Sequence, residues 1–160
     1  MTTSYGSGTI SGVKEKDMEL RDIMTRNVEV VSGDATLTEA ATKMKTFDVG
    51  LIPVCDGNQL KGILTDRDIT IRATANGRDP TKTKVADVMS TDIAYCLEEQ
   101  EVEDAVSLME ARQIRRLPVL NRDKCLIGIV SLGDIAVHAG DTDMAGETLQ
   151  EISQPAAPKR

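Results

Sequence analysis

The chain has 160 residues, a formal net charge of −7 and three aromatic residues, Tyr5, Phe47 and Tyr95. This length suits one ordinary domain, whose core must be built from aliphatic side chains. No run approaches the roughly 18 apolar residues of a membrane span, and the first residues lack the apolar segment of a secretory signal. The acidic balance argues against binding to a nucleic-acid backbone. We therefore expect a cytoplasmic protein that binds neither membranes nor nucleic acid.

The first half of the chain predicts a small α+β unit. In order, it shows a β-branched strand, a helix that opens with a capping box, two apolar strands and a second helix. These elements are expected at Val28–Val31, Thr36–Met44, 50–55, 60–64 and from Thr65 to about Asn76. Asp56-Gly57-Asn58, between the paired strands, is typical of a hairpin turn. The predicted order is β-α-β-β-α.

The second half of the chain repeats the first. Asp22-Ile23-Met24-Thr25 returns 65 residues later as Asp87-Val88-Met89-Ser90, and Gly62–Ile69 returns 66 residues later as Gly128–Ile135. The elements of the second copy are expected at Ile93–Cys96, 102–109, 116–120, 126–130 and from Ser131. Repetition of this kind marks two copies of one supersecondary unit that pack against each other. Function is therefore expected in the clefts between the copies.

The repeat also sets the predicted domain boundaries. The first copy should span residues 15–78 and the second residues 79–140, with a polar connector around Gly77–Lys82. The ends, 1–14 and 141–160, are rich in small and polar residues and are predicted to be flexible tails.

Catalytic and metal chemistry find little support in the sequence. Cys55, Cys96 and Cys125 are isolated among apolar neighbours, which favours buried thiols in a reducing compartment. His138 is the single histidine, so the His/Cys clusters of zinc sites and the usual nucleophile–base pairs are absent from the sequence. We expect neither an enzyme nor a protein with a metal or catalytic cofactor.

The motifs of the two copies resemble those of the tandem cystathionine-β-synthase (CBS) domain pair, also called a Bateman module. The shared marks are a Met-Thr/Ser opening, an apolar-Pro-Val strand and a closing Gly-x-x-Thr/Ser-x-x-Asp segment. They occur here as Met24-Thr25, Ile52-Pro53-Val54 and Gly62–Asp68, and again as Met89-Ser90, Leu117-Pro118-Val119 and Gly128–Asp134. The resemblance covers about residues 16–139 and is greatest to small stand-alone bacterial proteins of this type. It implies an α+β fold of two pseudo-symmetric β-α-β-β-α repeats packed through their small sheets.

The resemblance further implies a regulatory module that binds an adenosine-containing ligand and relays its occupancy to an unknown effector protein. The ligand would be AMP, ADP or ATP, or alternatively S-adenosylmethionine or NAD. One cleft would combine Thr25, Val28, Val49 and Leu51 with Arg116, Ser131 and Asp134. The other would combine Ser90, Ile93, Ile114 and Arg116 with Thr65, Arg67 and Asp68. Because Arg116 and its neighbour Arg115 have no counterpart at Gly50-Leu51, the clefts should differ in charge and affinity.

The closing motif has two interpretations. A Thr or Ser hydroxyl can donate to a phosphate oxygen, and an Asp three residues later can accept from ribose hydroxyls. Thr65-x-x-Asp68 and Ser131-x-x-Asp134 equally have the spacing of a capping box, which requires no ligand. Likewise, Arg115 and Arg116 are either phosphate ligands or part of a solvated charged face, and Arg112 is expected to face solvent.

Two alternatives to a ligand sensor, and one quaternary prediction, complete the expectations. A dimeric interaction module with empty clefts fits the same sequence, whereas nucleic-acid binding would need a basic face built from the arginine cluster. The resemblance implies a homodimer. Its interface is predicted on the Ala- and Met-bearing helix faces, Ala40/Ala41/Met44 and Ala105/Leu108/Met109.

Overall fold

The computed structural model describes residues 18–138 and 142–153, and it confirms an α+β fold with two similar halves. The first half contains α1 (Leu37–Phe47), β1 (Leu51–Asp56), β2 (Gln59–Thr65) and α2 (Asp66–Asp68). From α2 the chain continues as a π-helical turn, Ile69–Ala73, and a 3₁₀ turn, Thr74–Asn76. The second half contains β3 (Cys96–Leu97), α3 (Val102–Arg112), β4 (Arg116–Leu120), β5 (Leu126–Ser131) and α4 (Leu132–His138), followed by α5 (Thr142–Ile152). Two further 3₁₀ turns lie at Leu20–Asp22 and Val85–Asp87.

The first long helix begins and ends where its sequence dictates. The Thr36 amide donates to Glu39 Oε2 at 2.9 Å and the Glu39 amide donates to Thr36 Oγ1 at 3.2 Å, so the predicted capping box forms. The helix ends at Asp48, whose φ of 52° is left-handed. Leu37, Ala40 and Met44, spaced at helical period, are buried against the hairpin. The helix is therefore held by a cap at one end and by one apolar face.

The two hairpins are confirmed, but the strand predicted before each long helix is reduced to one bridge in the first repeat and to a short, shifted strand in the second. β1 and β2 pair antiparallel around the turn at Gly57, whose φ is +59°, and β4 and β5 pair in the same way. Val28–Val31 contributes a single parallel bridge, from Val31 to Val54, and in the second copy Cys96–Leu97 alone forms a strand. Val28 and Ile93 instead line the clefts, whereas Val31 is buried in the core of the first half.

The opening segment of each repeat packs in the core of the other repeat. Leu20, Ile23 and Met24 are buried in the core of the second copy, and Val85 and Val88 are buried in the core of the first. The exchange is fixed by paired backbone hydrogen bonds of 2.8 and 3.0 Å between Thr25 and Ile129, and of 2.9 Å each way between Ser90 and Ile63. The two copies are thus contiguous in sequence but interlocked in space, and the clefts form beside these junctions.

Two surface predictions need correction. Of the residues predicted to form a dimer interface, Ala40, Met44, Ala105 and Met109 are at most 7% exposed because they belong to the cores of the two halves, whereas Ala41 is exposed and Leu108 is half-buried. The segment predicted as a flexible tail from residue 141 contains α5. Ile152 of this helix is buried in the second core, and Thr148 donates to Glu110 Oε1 at 3.0 Å. The tail predicted at 1–14 lies outside the described residues.

The predicted burial of the thiols is confirmed for Cys55 and Cys96, whereas Cys125 is half-buried. Desolvation by burial raises the pKa of both buried thiols, that of Cys96 to about 11 with a smaller contribution from the charge of Asp104. Neither thiol therefore ionises readily near neutral pH.

Candidate functional site

Two concave clefts lie between the repeats, and both contain residues from each copy. The first cleft has a volume of about 360 Å³ and the second a volume of about 350 Å³. Three residues, Leu51, Arg116 and Ile129, line both. The clefts are therefore neighbours that share a wall at the start of β4.

The first cleft brings together all seven residues predicted for it. Its lining includes Thr25, Val28, Val49, Leu51, Arg116, Ser131 and Asp134. These residues come from the opening segment, from the loop after α1 and the start of β1, from the start of β4, and from the junction of β5 with α4. Sequence reasoning missed the polar side chains Asn27, Glu29 and Asp48 on the same surface. Asp48 could have been found from its position immediately after a predicted helix, next to Val49.

The second cleft brings together most of the residues predicted for it. Ser90, Ile93, Ile114, Arg116 and Thr65 line it, and so does Arg115. Arg67 and Asp68 are not among the lining residues, although Asp68 is tied to the lining residue Thr65. Asp92 and Arg112 were missed as cleft residues. The 65-residue offset relates Asp92 to Asn27, which lines the first cleft, so comparison of the repeats could have identified this position.

Both closing motifs form capping boxes. The Ser131 amide donates to Asp134 Oδ2 at 2.8 Å, and the Asp134 amide donates to Ser131 Oγ at 3.0 Å. At the other cleft the Thr65 amide donates to Asp68 Oδ2 at 2.9 Å, and the Asp68 amide donates to Thr65 Oγ1 at 3.1 Å. Each box uses one carboxylate oxygen, so the second oxygen remains available as an acceptor. Capping and ligand binding are therefore compatible at these residues.

The second carboxylate oxygen of the closing Asp has different contacts in the two motifs. Asp68 Oδ1 lies 3.8 Å from Arg72 Nε, and the same arginine donates to the Val88 carbonyl oxygen at 3.1 Å. Within the described part of the chain, Asp134 has no ion pair, and its side chain lines the first cleft directly. Asp134 is therefore better placed than Asp68 to accept from a bound molecule.

The clefts differ in charge as the sequence suggested. The first cleft is lined by Glu29, Asp48 and Asp134 against Arg116, and Glu29 pairs with Lys43 at 3.6 Å. The second is lined by three arginines, at 112, 115 and 116, against Asp92. The second cleft is thus the more favourable of the two for an anion.

The arginines of the second cleft are not equivalent. Arg112 Nη1 lies 3.0 Å from Asp92 Oδ2; hydrogen bonds from this guanidinium, and then its charge, hold the pKa of Asp92 below its usual value. Arg112 is exposed as predicted, but it also lines the cleft. The side chains of Arg115 and Arg116 are exposed and make no hydrogen bond or ion pair with any described residue. These two guanidinium groups are therefore free to bind an anion.

Comparison with known proteins agrees with this architecture. The family model described as "CBS domain" matches residues 20–73 and 85–140, and the chain belongs to this family. CBS pairs are in general regulatory and bind adenosine ligands. The chain is 47% identical over 134 residues to the CBS domain-containing protein YhcV of Bacillus subtilis, covering 84% of this chain and 94% of that one. It is 40% identical over 119 residues to Hypoxic response protein 1 of Mycobacterium tuberculosis, covering 74% and 82%.

Solved structures show the same fold. The crystal structure of Hypoxic Response Protein I with two coordinated zinc ions matches with a TM-score of 0.70 and 38% identity, covering 76% of this chain and 98% of that one. CBSX2 in complex with AMP matches with a TM-score of 0.66 and 25% identity, covering 78% and 98%. In the described residues of the present chain, no group of three or more His, Cys, Asp or Glu side chains is placed to hold a metal ion. No helix among them is long and apolar enough to cross a membrane.

Proposed function

We propose that this chain is a non-catalytic sensor that binds an adenosine-containing ligand in the clefts between its CBS repeats. The observation that carries the proposal is the first cleft, where residues distant in sequence and drawn from both repeats converge on one cavity of about 360 Å³. Its walls offer a set of chemical groups that suits a nucleoside: aliphatic side chains for the base and an accessible carboxylate for the ribose.

Each group has a defined role in this proposal. Val28, Val49 and Leu51 would contact the adenine, because the cleft offers aliphatic rather than aromatic surface apart from Phe47. The free oxygen of Asp134 would accept from the ribose hydroxyls, and the Ser131 hydroxyl would donate to a phosphate oxygen. Arg116, at the wall common to both clefts, would pair with phosphate.

The ligand class follows from the charge of the clefts. The second cleft presents two unpaired guanidinium groups, which favours an adenine nucleotide, AMP, ADP or ATP, over an uncharged nucleoside. The first cleft, with Asp48 and Asp134, repels phosphate more strongly and would bind nucleotide more weakly, or would accept S-adenosylmethionine. Occupancy would be relayed to an effector protein through the relative positions of the repeats, to the extent that the ligand prefers one arrangement.

The ribose assignment can be separated from capping by a matched pair of variants. Asp104 occupies the same position in the box that begins α3, where its carboxylate accepts from the Glu101 amide at 3.1 Å, and it lines neither cleft. Asp134→Asn should weaken binding of an adenosine-containing ligand in the first cleft by about tenfold, because a charge-assisted hydrogen bond contributes about 1.5–3 kcal/mol. Asp104→Asn should leave the affinity within about twofold, since it removes a comparable cap. Equal affinities for both variants in isothermal titration would show that Asp134 serves only as a cap.

A direct test of the sensor proposal is thermal denaturation with AMP, ADP, ATP, S-adenosylmethionine and NAD in separate samples. A ligand present at a hundred times its dissociation constant should stabilise the fold by about 2.7 kcal/mol. Folded protein that is free of nucleotide and shows no shift with any of the five would contradict the sensor proposal.

The second candidate function is a dimeric interaction module with empty clefts. Its support is that two equivalent apolar side chains are exposed on the segments that follow β2 and β5. These are Ile71, at 54% exposure, and Val137, at 76%, which occupy matching positions of the two repeats. We place the homodimer contact on this surface, in both functions, because four of the six residues predicted from sequence are buried. Val137→Asp should convert the dimer to a monomer in sedimentation, whereas Tyr95→Asp, at another exposed position, should not.

A further inference from the structure

The side chain of Arg72 joins two segments beside the second cleft without lining that cleft. Its Nη1 atom donates to the Val88 carbonyl oxygen at 3.1 Å and to the Met89 carbonyl oxygen at 3.3 Å. Its Nε atom lies 3.8 Å from Asp68 Oδ1. Val88 and Met89 belong to the opening segment of the second repeat, and Asp68 belongs to the closing motif of the first. One guanidinium group therefore contacts both sides of the junction between the repeats.

Both of these segments carry a residue of the second cleft. Ser90 lines the cleft and directly follows Met89 in the chain. Thr65 lines the cleft from the other repeat, and its capping box with Asp68 has hydrogen bonds of 2.9 and 3.1 Å. A shift of the opening segment relative to the closing motif would therefore change the distance between Ser90 and Thr65.

The arginine supplies hydrogen bonds that the backbone does not. Within the described part of the chain, the carbonyl oxygens of Val88 and Met89 accept from no backbone amide. Val88 is 1% exposed, and buried backbone carbonyl groups are nearly always hydrogen-bonded. A guanidinium group offers several donors in a rigid plane, and its charge strengthens each hydrogen bond. Arg72 thus holds the opening segment in addition to the backbone pair between Ser90 and Ile63.

The equivalent junction beside the first cleft forms without an arginine. The 66-residue offset between the closing motifs places His138 at the position of Arg72. His138 makes no hydrogen bond or ion pair with any residue that the structure describes. The backbone pair between Thr25 and Ile129 nevertheless forms there, at 2.8 and 3.0 Å. The fold of a junction therefore does not require an arginine at this position.

We infer that Arg72 is a positioning residue, which holds the opening segment of the second repeat against the closing motif of the first and so forms the second cleft before a ligand binds. For its effect on binding, this assignment rests on the proposed function, because an adenine nucleotide would occupy that cleft. A site that is already ordered loses less conformational freedom on binding. Arg72 should therefore raise the affinity of the second cleft without touching the ligand.

Hydrogen exchange followed by NMR tests the positioning in the absence of any ligand. Arg72→His copies the residue that the second repeat has at this position, and a histidine is largely neutral at pH 7.5. At that pH the substitution should lower the protection factors of the Ser90 and Ile63 amides about tenfold. The equivalent amides of the first junction, Thr25 and Ile129, should stay within about twofold. Unchanged protection of Ser90 and Ile63 would overturn the inference.

Titration with AMP separates a positioning role from a purely structural one. Arg72→His should weaken AMP binding to the folded protein about fivefold in isothermal titration. Arg72→Lys, which keeps the charge and hydrogen-bond donors, should restore the affinity to within about twofold of wild type. Arg122→Gln, which removes an arginine paired with Glu99 outside both clefts, is the control and should change neither measurement more than twofold.

The two measurements together distinguish the possible failures. Protection lost in Arg72→His with an unchanged AMP affinity would overturn the positioning role, because the contact would then serve stability alone. An equal loss of affinity in Arg122→Gln would overturn it as well, since a general effect of charge would explain both variants. Protection lost in a protein that binds no adenosine compound would uphold the positioning of the segment and contradict the proposed function.

Discussion

The substitution Gly128→Ala tests the exchange of opening segments on which both clefts depend. A Cβ built on Gly128 would lie 2.7 Å from Met24 Sδ and 2.9 Å from the Thr25 carbonyl oxygen. The sulfur belongs to a flexible side chain, but the carbonyl oxygen belongs to a backbone that exchanges two hydrogen bonds with Ile129. The added methyl group must therefore push the opening segment away from β5.

The expected loss in the free energy of unfolding follows from these contacts. Overpacking a well-filled site costs about 1–3 kcal/mol, and weakening two backbone hydrogen bonds adds about 1 kcal/mol, so we expect a loss of about 2–4 kcal/mol. For a chain of this length this loss corresponds to a decrease in melting temperature of roughly 5–15 °C. Gly62→Ala should behave in the same way, since its Cβ would lie 2.5 Å from Met89 Sδ and 3.0 Å from the Ser90 carbonyl oxygen.

Urea denaturation followed by circular dichroism measures the free energy of unfolding, and Gly33→Ala is the matched control. A Cβ at Gly33 would lie 3.4 Å from the Ala86 side chain and 3.9 Å from Val54, which are ordinary contacts. This variant should stay within about 0.5 kcal/mol of the wild type. Equal urea midpoints for Gly128→Ala and Gly33→Ala would show that the opening segment does not pack closely on β5, and the origin assigned to the clefts would then be wrong.

Three further predictions concern the cysteines, the ion pair of the second cleft and the charge of the first cleft. A thiol reagent at pH 8 should label Cys125 first and Cys96 only after unfolding, because burial raises the pKa of Cys96 to about 11. Mass spectrometry of labelled peptides measures this order. Rapid labelling of Cys96 would contradict its burial. The Asp92 carboxylate has a lowered pKa, so its pair with Arg112 should stabilise the fold above the unfolded-state pKa of about 4 and lose this effect as pH falls through the folded-state value. Carbon NMR titration should show the Asp92 midpoint rising in Arg112→Gln, and an unchanged midpoint would refute the pairing. If AMP binds in the first cleft, Asp48→Asn should tighten its binding about threefold, because the substitution removes a charge that repels phosphate. An affinity left unchanged in titration calorimetry would show that AMP does not bind in the first cleft.

The sequence was sufficient to predict the fold because the signal occurs twice. Each motif of the repeat is short, but the constant offset between the copies indicates that the motifs belong to one β-α-β-β-α unit that occurs twice. Local chemistry specified individual features, such as the capping box at Thr36 and the hairpin turn at Gly57, since these depend on residues three or fewer positions apart. The convergence of Thr25 and Asp134 on one cavity was predicted through the resemblance to the CBS family, and the structure places both residues there.

Only the tertiary structure decided which surfaces are buried and which segments pair. An apolar helix face such as Ala40/Met44 has the same sequence pattern whether it packs on its own chain or on a partner. Here it packs on the hairpin of its own chain. Val28 and Ile93 have the propensity of strand residues but line clefts, because strand formation requires a neighbour that propensity does not supply. The helix α5 was predicted as a flexible tail, and it is fixed by long-range contacts of Thr148 and Ile152 that local composition does not encode. Pairing and burial depend on what approaches from elsewhere in the chain, whereas caps and turns depend on adjacent residues.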